Sequence, residues 1–229
     1  MKPKQTVRMC ADSALLLLLP LLMAYNMLGE AAHECVGIAM FAMFILHHAL
    51  NLRFTASVAK GKYTLRRIIL TALDALLLID MLIMMLSAVM LSRHVFGFLQ
   101  ISFGVQLART LHLLGSYWGF ALMSFHFGMH IPQLAKALRN ALHISGSSKA
   151  KRLILRSLAL TVSAYGMYSF VARGLTDYML LKNQFVFFDF SEPLPLFLLA
   201  YASMMCFFAA LGFGLANLAA RPPRKQFSR

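Results

Sequence analysis

The amino-acid sequence predicts an all-α fold, a polytopic membrane bundle of six transmembrane helices that forms a single domain over residues 1–229. Hydrophobic residues make up 60% of the chain and charged residues only 13%, whereas about a quarter of the residues in a soluble domain are charged. The apolar residues also form long unbroken runs, and a helix needs about 20 of them to cross a hydrocarbon core roughly 30 Å thick. Six such spans leave no room for a separate soluble catalytic domain.

The apolar runs place the six helices along the chain. They lie near residues 13–32, 33–51, 68–92, 108–131, 153–173 and 194–219. Each run must be a helix, because a segment in lipid has to satisfy its backbone hydrogen bonds internally. The strands of a membrane β-barrel instead alternate polar and apolar residues over about ten positions. Runs that are apolar throughout therefore exclude a barrel.

The first run also has the layout of a secretory signal peptide. A basic start and an apolar stretch precede small residues at Gly29, Ala31 and Ala32, and this order is typical of a cleaved leader. The apolar stretch is long for that role, however, and Pro20 is tolerated in a membrane helix. We therefore expect the segment to be retained as the first span.

Basic residues indicate the orientation, because cytoplasmic loops retain an excess of Lys and Arg. Of the 22 basic residues, 18 lie in the N-terminal tail, the second-to-third connection, the fourth-to-fifth region and the C-terminal tail. The pattern predicts a multi-pass protein of the cytoplasmic (inner) membrane, with both termini in the cytoplasm and a basic cytoplasmic tail at residues 221–229. The net charge of +14 thus belongs to loops. A nucleic-acid partner is not expected, because it would need a folded basic face.

Four of the eight histidines recur at one spacing. His33 and His47 are 14 residues apart in the second predicted helix, and His112 and His126 are 14 apart in the fourth. Fourteen residues bring two side chains within about 40° of one helix face and about 21 Å apart along it. The two helices run in the same direction, so His33 would face His112 near the outer surface and His47 would face His126 near the inner one. The spacing predicts two bis-histidine metal sites about 20 Å apart.

Paired imidazoles on opposed helices are a common way to hold haem iron in a bundle. The three cysteines form no CxxCH motif, which argues against covalent c-type haem, so we expect two non-covalent b-type haems. Gly37, Gly115 and Gly119 follow the outer histidines by one or two turns, where a missing side chain would let a flat macrocycle approach the backbone. Arg93 and Arg109 are the outer basic residues expected to bind haem propionates, because guanidinium holds carboxylates in a bidentate fork.

The inner ligands have alternatives. His48 is adjacent to His47, and His130 lies one turn beyond His126. On an ideal helix, a residue 15 positions after His33 is rotated about 60° away from it, so His47 is favoured over His48. His130 is expected at the cytoplasmic interface, and His126 is therefore the favoured ligand of the second pair.

Two acidic residues, Asp74 and Asp80, fall within the third predicted helix. Acidic side chains inside a membrane are costly and commonly functional, which makes both candidates for a proton path to a quinone. They could equally form hydrogen bonds between helices.

Other functions would also use histidines. Membrane helices use them as interhelical hydrogen-bonding groups, and an assembly protein without redox activity would need no more than that. A His-lined metal-ion transporter is a further alternative, and it predicts a mixed cluster of His and acidic ligands near the midplane. Two identically spaced pairs at two depths favour haem over both.

Three segments resemble sequences of one known family. They are HECVGIAMFAMFILHHALNLRF at residues 33–54, SAVMLSRHVFGFL at 87–99 and ARTLHLLGSYWGFALMSFHFGMH at 108–130. The family is that of the flavinylation-associated cytochromes, long catalogued as a bacterial domain of unknown function. The resemblance covers about the first 130 residues well and the last two helices loosely.

The resemblance implies a cytochrome b-like protein of the bacterial cytoplasmic membrane that passes electrons between a quinone pool and extracytoplasmic proteins carrying covalent FMN. The family's motif histidines fall on His33, His47, His112 and His126, whereas His48 and His130 are additional. The chain contains no nucleotide-binding glycine motif and no flavin domain. It is therefore expected to be an electron-transfer subunit of an oxidoreductase, not a complete enzyme.

Overall fold

The computed structural model describes residues 3–58, 60–61, 63–141 and 148–220, and within these ranges the regular structure is entirely helical. The predicted basic tail at residues 221–229 lies outside them. The helices are α1 (Pro3–Met23), α2 (Tyr25–Leu28), α3 (Glu30–Leu50), α4 (Leu52–Ser57), α5 (Leu65–Leu91), α6 (Val105–Ala141), α7 (Lys149–Ala172), α8 (Leu175–Met179) and α9 (Leu194–Ala219). A 3-10 turn at Gly97–Leu99 follows α5.

Five of these helices are long and apolar enough to cross a membrane, namely α1 from Thr6 onward, α3, α5, α7 and α9. The prediction of an all-helical, multi-pass membrane protein in contact with the lipid bilayer is thereby confirmed. The helix α6 is the longest, at 37 residues, but is not one of the five. Its sequence contains three histidines, two arginines and a lysine, and it is less apolar than α5 and α9.

The first helix differs from its predicted bounds of 13–32. It begins at Pro3 and ends at Met23, and the short helix α2 intervenes before α3 begins at Glu30. Gly29 separates α2 from α3 with a φ of 84°, a backbone conformation that glycine adopts without the steric cost that other residues meet. An apolar run shows where lipid surrounds the chain, but it does not show where the backbone turns.

The helix around residues 108–131 also extends beyond its predicted bounds. It runs from Val105 to Ala141 and contains Pro132 within its length. The prediction counted only the apolar stretch, whereas the polar continuation QLAKALRNA remains helical. The remaining predicted helices begin and end within four residues of α3, α5, α7 and α9.

Helix packing centres on α6, which lies against α5 on one side and α9 on the other, while α7 packs on α9 and α1 pairs with α3. We call the end of the bundle at which α3 begins the His33 end, and the opposite end the His47 end. At the His47 end, the Arg8 guanidinium donates to the Leu50 carbonyl and the Arg66 guanidinium donates to the Met129 carbonyl. Because Met129 belongs to α6, this helix reaches the His47 end of the bundle.

Glycines let α9 approach α6 and α7 closely. A Cβ atom built on Gly128 would clash with the Ala209 carbonyl oxygen, and one on Gly212 would clash with the Phe125 carbonyl oxygen. Gly166 of α7 has the same relation to the backbone of α9. Small residues at helix interfaces are the usual means of close packing in membranes, where no hydrophobic effect drives helices together.

We expect Gly128→Ala to lower the stability of the bundle, because the added methyl group meets backbone that cannot move without displacing α9. Overpacking of this kind costs about 1–3 kcal/mol. The measurement is the temperature at which detergent-solubilised protein loses its monodisperse elution peak. Gly214→Ala in α9 is the matched control, because no atom lies within 4 Å of the Cβ position at Gly214. Equal melting temperatures for the two variants would contradict the assigned contact.

Candidate functional site

A cavity of about 510 Å³ lies at the His33 end, between α1, α3, α5 and α6. This volume falls within the range of roughly 300–1,000 Å³ that is typical of ligand and cofactor sites. Its walls are mostly apolar, and the methionines that line it are Met23, Met40, Met81, Met84, Met85 and Met123. Flexible methionine side chains adapt to irregular ligand shapes. The polar side chains that line the cavity include three carboxylates, two arginines and two histidines.

These histidines are His33 from α3 and His112 from α6, the predicted outer pair. Their ring centroids lie 6.3 Å apart, with the ring planes at 71° to each other. His33 also packs edge-on against Tyr25, at a centroid distance of 5.0 Å. The structure therefore brings together the two residues that the repeated spacing placed on facing helices.

A serine of α5 contacts the His112 ring. The Ser87 hydroxyl lies within hydrogen-bond distance of the Ile83 and Met84 carbonyls, at 2.8 and 3.0 Å, and its oxygen is 3.0 Å from His112 Nδ1. A hydroxyl has one proton, and when Ser87 donates it to either carbonyl, the hydroxyl oxygen can accept from His112 Nδ1–H. That tautomer leaves the His112 Nε2 lone pair free to bind a metal.

The His33 ring is less constrained. It lies near the Leu22 carbonyl, but its buried Nδ1 atom has no hydrogen-bond partner among the described atoms. Buried polar atoms are almost always paired in native structures. An imidazole of this kind, beside a large cavity, is suited to take up a ligand through a ring nitrogen.

The three glycines predicted to admit a macrocycle all line the cavity. A Cβ atom on Gly115 would lie 2.8 Å from Met84 Sδ and 2.9 Å from Asp80 Oδ1, and one on Gly119 would clash with Asp80 Oδ2. Gly37 is more open, with Leu22 at 4.0 Å. Asp80 from α5 therefore extends onto the glycine face of α6, and its Oδ2 atom is buried without a hydrogen-bond partner in the described part of the chain.

Both predicted propionate-binding arginines line the cavity. The Arg93 side chain is 70% exposed, and its Nε atom is 3.4 Å from Glu30 Oε1. Arg109 lies one turn before His112 on α6 and also borders a smaller cavity beside Gln184 and Phe185. The guanidinium groups thus mark the polar edge of an otherwise apolar site.

Glu34 fastens the segment after α5 to α3. Its carboxylate accepts hydrogen bonds from the Ser92 hydroxyl at 2.7 Å and from the backbone N–H groups of Arg93, His94 and Val95 at 2.7–3.2 Å. A carboxylate that accepts several such bonds is held strongly, because hydrogen bonds to a charged group are roughly twice as strong as neutral ones. Ser92, Arg93 and Val95 line the cavity, so this contact fixes one of its walls.

We expect Glu34→Gln to loosen residues 92–95, because an amide offers one acceptor oxygen and directs its own N–H₂ group at the backbone donors. A loss of about 1.4 kcal/mol corresponds to tenfold faster opening. Hydrogen exchange at the amides of Arg93, His94 and Val95, followed by mass spectrometry, measures this change. Glu30→Gln is the matched control on the same helix, because Glu30 reaches Arg93 and His94 only through exposed side-chain pairs. Similar exchange in both variants would argue against the Glu34 contact.

At the His47 end, His47 contacts a carboxylate on the neighbouring helix. Its Nδ1 atom is 2.6 Å from Asp12 Oδ1 of α1. The adjacent His48 instead has its Nδ1 atom 3.0 Å from the Phe44 carbonyl of its own helix. Of these two histidines, His47 is therefore the one oriented by another helix.

His126 has a similar neighbour. Its Nδ1 atom is 3.1 Å from Asp74 Oδ1 of α5, an ion-pair distance, although the angles are not those of a hydrogen bond. The His130 ring lies 4.7 Å from the His126 ring, and it interacts electrostatically with His47, Asp74 and Arg66. The ring contacts of the described residues join His126 to His130, and His47 to His48.

Sequence reasoning missed three residues at these sites: Asp12, Glu34 and Ser87. The sequence did contain a signal for Asp12 and Glu34, because an acidic residue in or beside a membrane helix usually has a partner. Asp74 was identified as a candidate, and the structure places it beside His126. Ser87 gave no signal, since serine is common in membrane helices and bonds to its own backbone.

The described residues contain no group of three or more His, Cys, Asp or Glu side chains that could hold a metal ion. The chain matches no known family model, no curated protein and no solved structure.

Proposed function

We propose that this protein is a di-haem cytochrome b that transfers electrons across a membrane. His33 and His112 would bind one b-type haem, and His47 and His126 the second. When bound, haem iron supplies one-electron transfer between its ferric and ferrous states. The protein residues position the cofactors and control their surroundings.

The observation that carries the proposal is the His33–His112 pair beside the cavity. Imidazole nitrogen binds transition metals at about 2.0–2.1 Å, so two imidazoles whose ring centroids are about 6 Å apart could hold one metal ion between them. The observed separation is 6.3 Å. The apolar, methionine-rich walls suit a macrocycle, and Arg93 and Arg109 at the polar edge suit its propionates.

Carboxylates that lie beside His47 and His126 on neighbouring helices support the second site. A metal-binding histidine usually donates its other ring N–H to a carboxylate or carbonyl group, which fixes the tautomer and the ring orientation. Asp12 beside His47 matches this arrangement and favours His47 over His48 as a ligand. Asp74 lies at ion-pair distance from His126 and also interacts electrostatically with His130.

The proposal requires α6 to be a sixth span. At 1.5 Å per residue its 37 residues extend about 55 Å, which exceeds the roughly 30 Å hydrocarbon core. Its polar side chains His112 and Ser124 face other helices, since Ser124 is 1% exposed. With six spans, the excess of basic residues places both termini in the cytoplasm and the His33 end outside.

A quinone is the proposed redox partner within the membrane, and an extracytoplasmic protein carrying FMN is the proposed partner at the His33 end. The resemblance of residues 33–54, 87–99 and 108–130 to the flavinylation-associated cytochromes supports both. Within this proposal the chain acts as an electron-transfer subunit that works with these partners.

The test is to purify the protein in detergent after expression with ample haem precursor, and to record its air-oxidised and dithionite-reduced visible spectra. A pyridine haemochrome assay then counts the haems. Two b-type haems per chain are expected. A colourless, folded protein would refute the proposal, and zinc or copper uptake in proteoliposomes would then test the His-lined metal-ion transporter.

A further inference from the structure

We infer that two loops at the His33 end lie in the headgroup layer of the bilayer and contact lipid through five phenylalanine side chains. We call these side chains the aromatic rim, and they are Phe98, Phe103, Phe185, Phe187 and Phe190. All five lie outside the helices long enough to cross a membrane. The inference does not rest on the proposed function, because it involves no cofactor.

Every side chain of the aromatic rim is strongly exposed, with 74–81% of its surface accessible. For comparison, Leu160 in the middle of the membrane-spanning helix α7 is 71% exposed. The rim is therefore as open as the side of the bundle that faces lipid. Exposed apolar patches of this kind mark sites of contact with a membrane or with another protein.

The loop segment 184–190 is apolar on two faces. Val186 and Phe188 pack against the buried core, and the Phe188 ring stacks on Phe197 at a centroid distance of 6.2 Å. The alternate side chains, Phe185 and Phe187, are directed away from that core, as the geometry of an extended chain requires. Nothing in the described structure covers this outer face. A surface outside the chain must therefore cover it.

Continuity with the membrane-spanning helices identifies lipid as that surface. The exposed apolar side chains run from Leu180, through segment 184–190, to Leu196 of α9. The other loop of the rim joins Leu86 of α5 to Leu107 of α6, and both leucines are exposed. Since α5 and α9 cross the bilayer, a surface that continues their exposed sides meets the same bilayer.

The acidic groups beside Phe187 are bonded within the chain. Glu192 pairs with the Arg173 guanidinium, and the Asp189 carboxylate accepts from the Ser191 N–H and hydroxyl groups at 2.9 and 2.6 Å. Electrostatic steering of a protein partner needs a charged patch that complements it. The loop instead presents phenyl rings, which suit a lipid surface.

Backbone hydrogen bonding determines the depth of the rim. The Phe187 N–H group donates to the Tyr178 hydroxyl at 3.2 Å, but the N–H groups of Phe185 and Phe190 have no partner among the described atoms. Unpaired N–H groups are not tolerated in hydrocarbon, whereas water reaches the headgroup layer. Peripheral segments bury phenylalanine and leucine at the boundary between headgroups and acyl chains. The rim therefore lies at the membrane surface.

The cavity at the His33 end borders the same layer. Phe185 lines this cavity and also the smaller one beside Arg109. The wall that segment 184–190 forms thus separates the cavity from lipid headgroups instead of from bulk water.

The experiment measures cysteine reactivity in phosphatidylcholine nanodiscs, which leave both membrane surfaces accessible. Phe187→Cys is made in a variant whose native cysteines, Cys10, Cys35 and Cys206, are replaced by serine. Asn183→Cys is the matched control, because Asn183 is an exposed polar residue of the same loop. A charged, sulfonated maleimide and an uncharged, lipid-soluble maleimide are added separately, and labelling is followed by intact mass.

We expect the charged maleimide to label Phe187→Cys roughly tenfold more slowly than Asn183→Cys, because the headgroup layer excludes the reagent and a thiol there forms less of the reactive thiolate. The uncharged maleimide should label both variants. Equal rates with the charged reagent would overturn the inference, because Phe187 would then face water. Failure of both reagents to label Phe187→Cys would also overturn it, since the side chain would then be inside the protein.

The second loop provides an independent measurement if Phe187→Cys does not fold. Phe103→Cys is compared there with Ser102→Cys, whose position is exposed and adjacent. The same slow reaction with the charged maleimide is expected for Phe103→Cys only. Equal labelling of this pair would contradict the inference in the same way.

Discussion

Replacing His33 with alanine is expected to reduce the haem content from two per chain to one. His33 supplies one of the two imidazoles that meet beside the cavity, 6.3 Å from its partner, and its buried Nδ1 atom has no hydrogen-bond partner in the described structure. A haem held by only one of these two imidazoles would bind more weakly and would be lost during purification. The same result is expected for His112→Ala.

The measurements are a pyridine haemochrome count and a reduced spectrum of the purified variant. Added imidazole together with haem should restore the spectrum in His33→Ala, because a free ligand can enter the space left by the side chain. A variant that had merely misfolded would not recover in this way. The matched control is His94→Ala, because the His94 side chain is 50% exposed and meets Glu30 at 3.8 Å. Equal loss of haem from His94→Ala would argue against a specific role for His33.

The second large effect is expected at the opposite end of the bundle. His47→Ala and His126→Ala should each remove the other haem, whereas His48→Ala and His130→Ala should keep both. The physical reason is orientation, since Asp12 contacts His47 and Asp74 contacts His126, whereas His48 contacts the carbonyl of Phe44 within its own helix.

Neighbouring histidines provide the controls in this experiment, because each pair shares a helix and a membrane depth. The double variant His33→Ala with His47→Ala should contain no haem. Loss of haem from His48→Ala, with full content in His47→Ala, would assign the ligand to His48. The same comparison between His126→Ala and His130→Ala decides the ligand on α6.

The sequence predicted those parts of the site that depend on helix periodicity. The 14-residue spacing placed His33 and His112 at one depth, and the structure brings their rings together. The spacing could not predict the Asp12–His47 contact, because that contact depends on how α1 packs on α3. Nor could it predict that Glu34 would accept hydrogen bonds from residues 92–95, since the course of a loop is not periodic.

The glycines on α6 show a different limit. Gly115 and Gly119 were expected to leave room for a flat ligand, and they do line the cavity, but the Asp80 carboxylate lies against the same face. A missing side chain in one helix leaves space that any neighbour can enter. Which neighbour enters is decided by the rotation of α5 about its own axis, and composition carries no information on that rotation.

The division of the bundle bears on how the protein matures. The pair α1 and α3 forms one unit, and α5, α6, α7 and α9 form a second, more closely packed one, with the His33–His112 cavity at their junction. Apolar side chains of α1 and α3 join the core of the second unit, and the Glu34 carboxylate adds a polar contact to the loop that follows α5. Under the proposed function, haem would complete the interface as it binds, since each site draws one imidazole from either unit. Insertion of the cofactor and docking of the N-terminal hairpin would then be a single step in biogenesis.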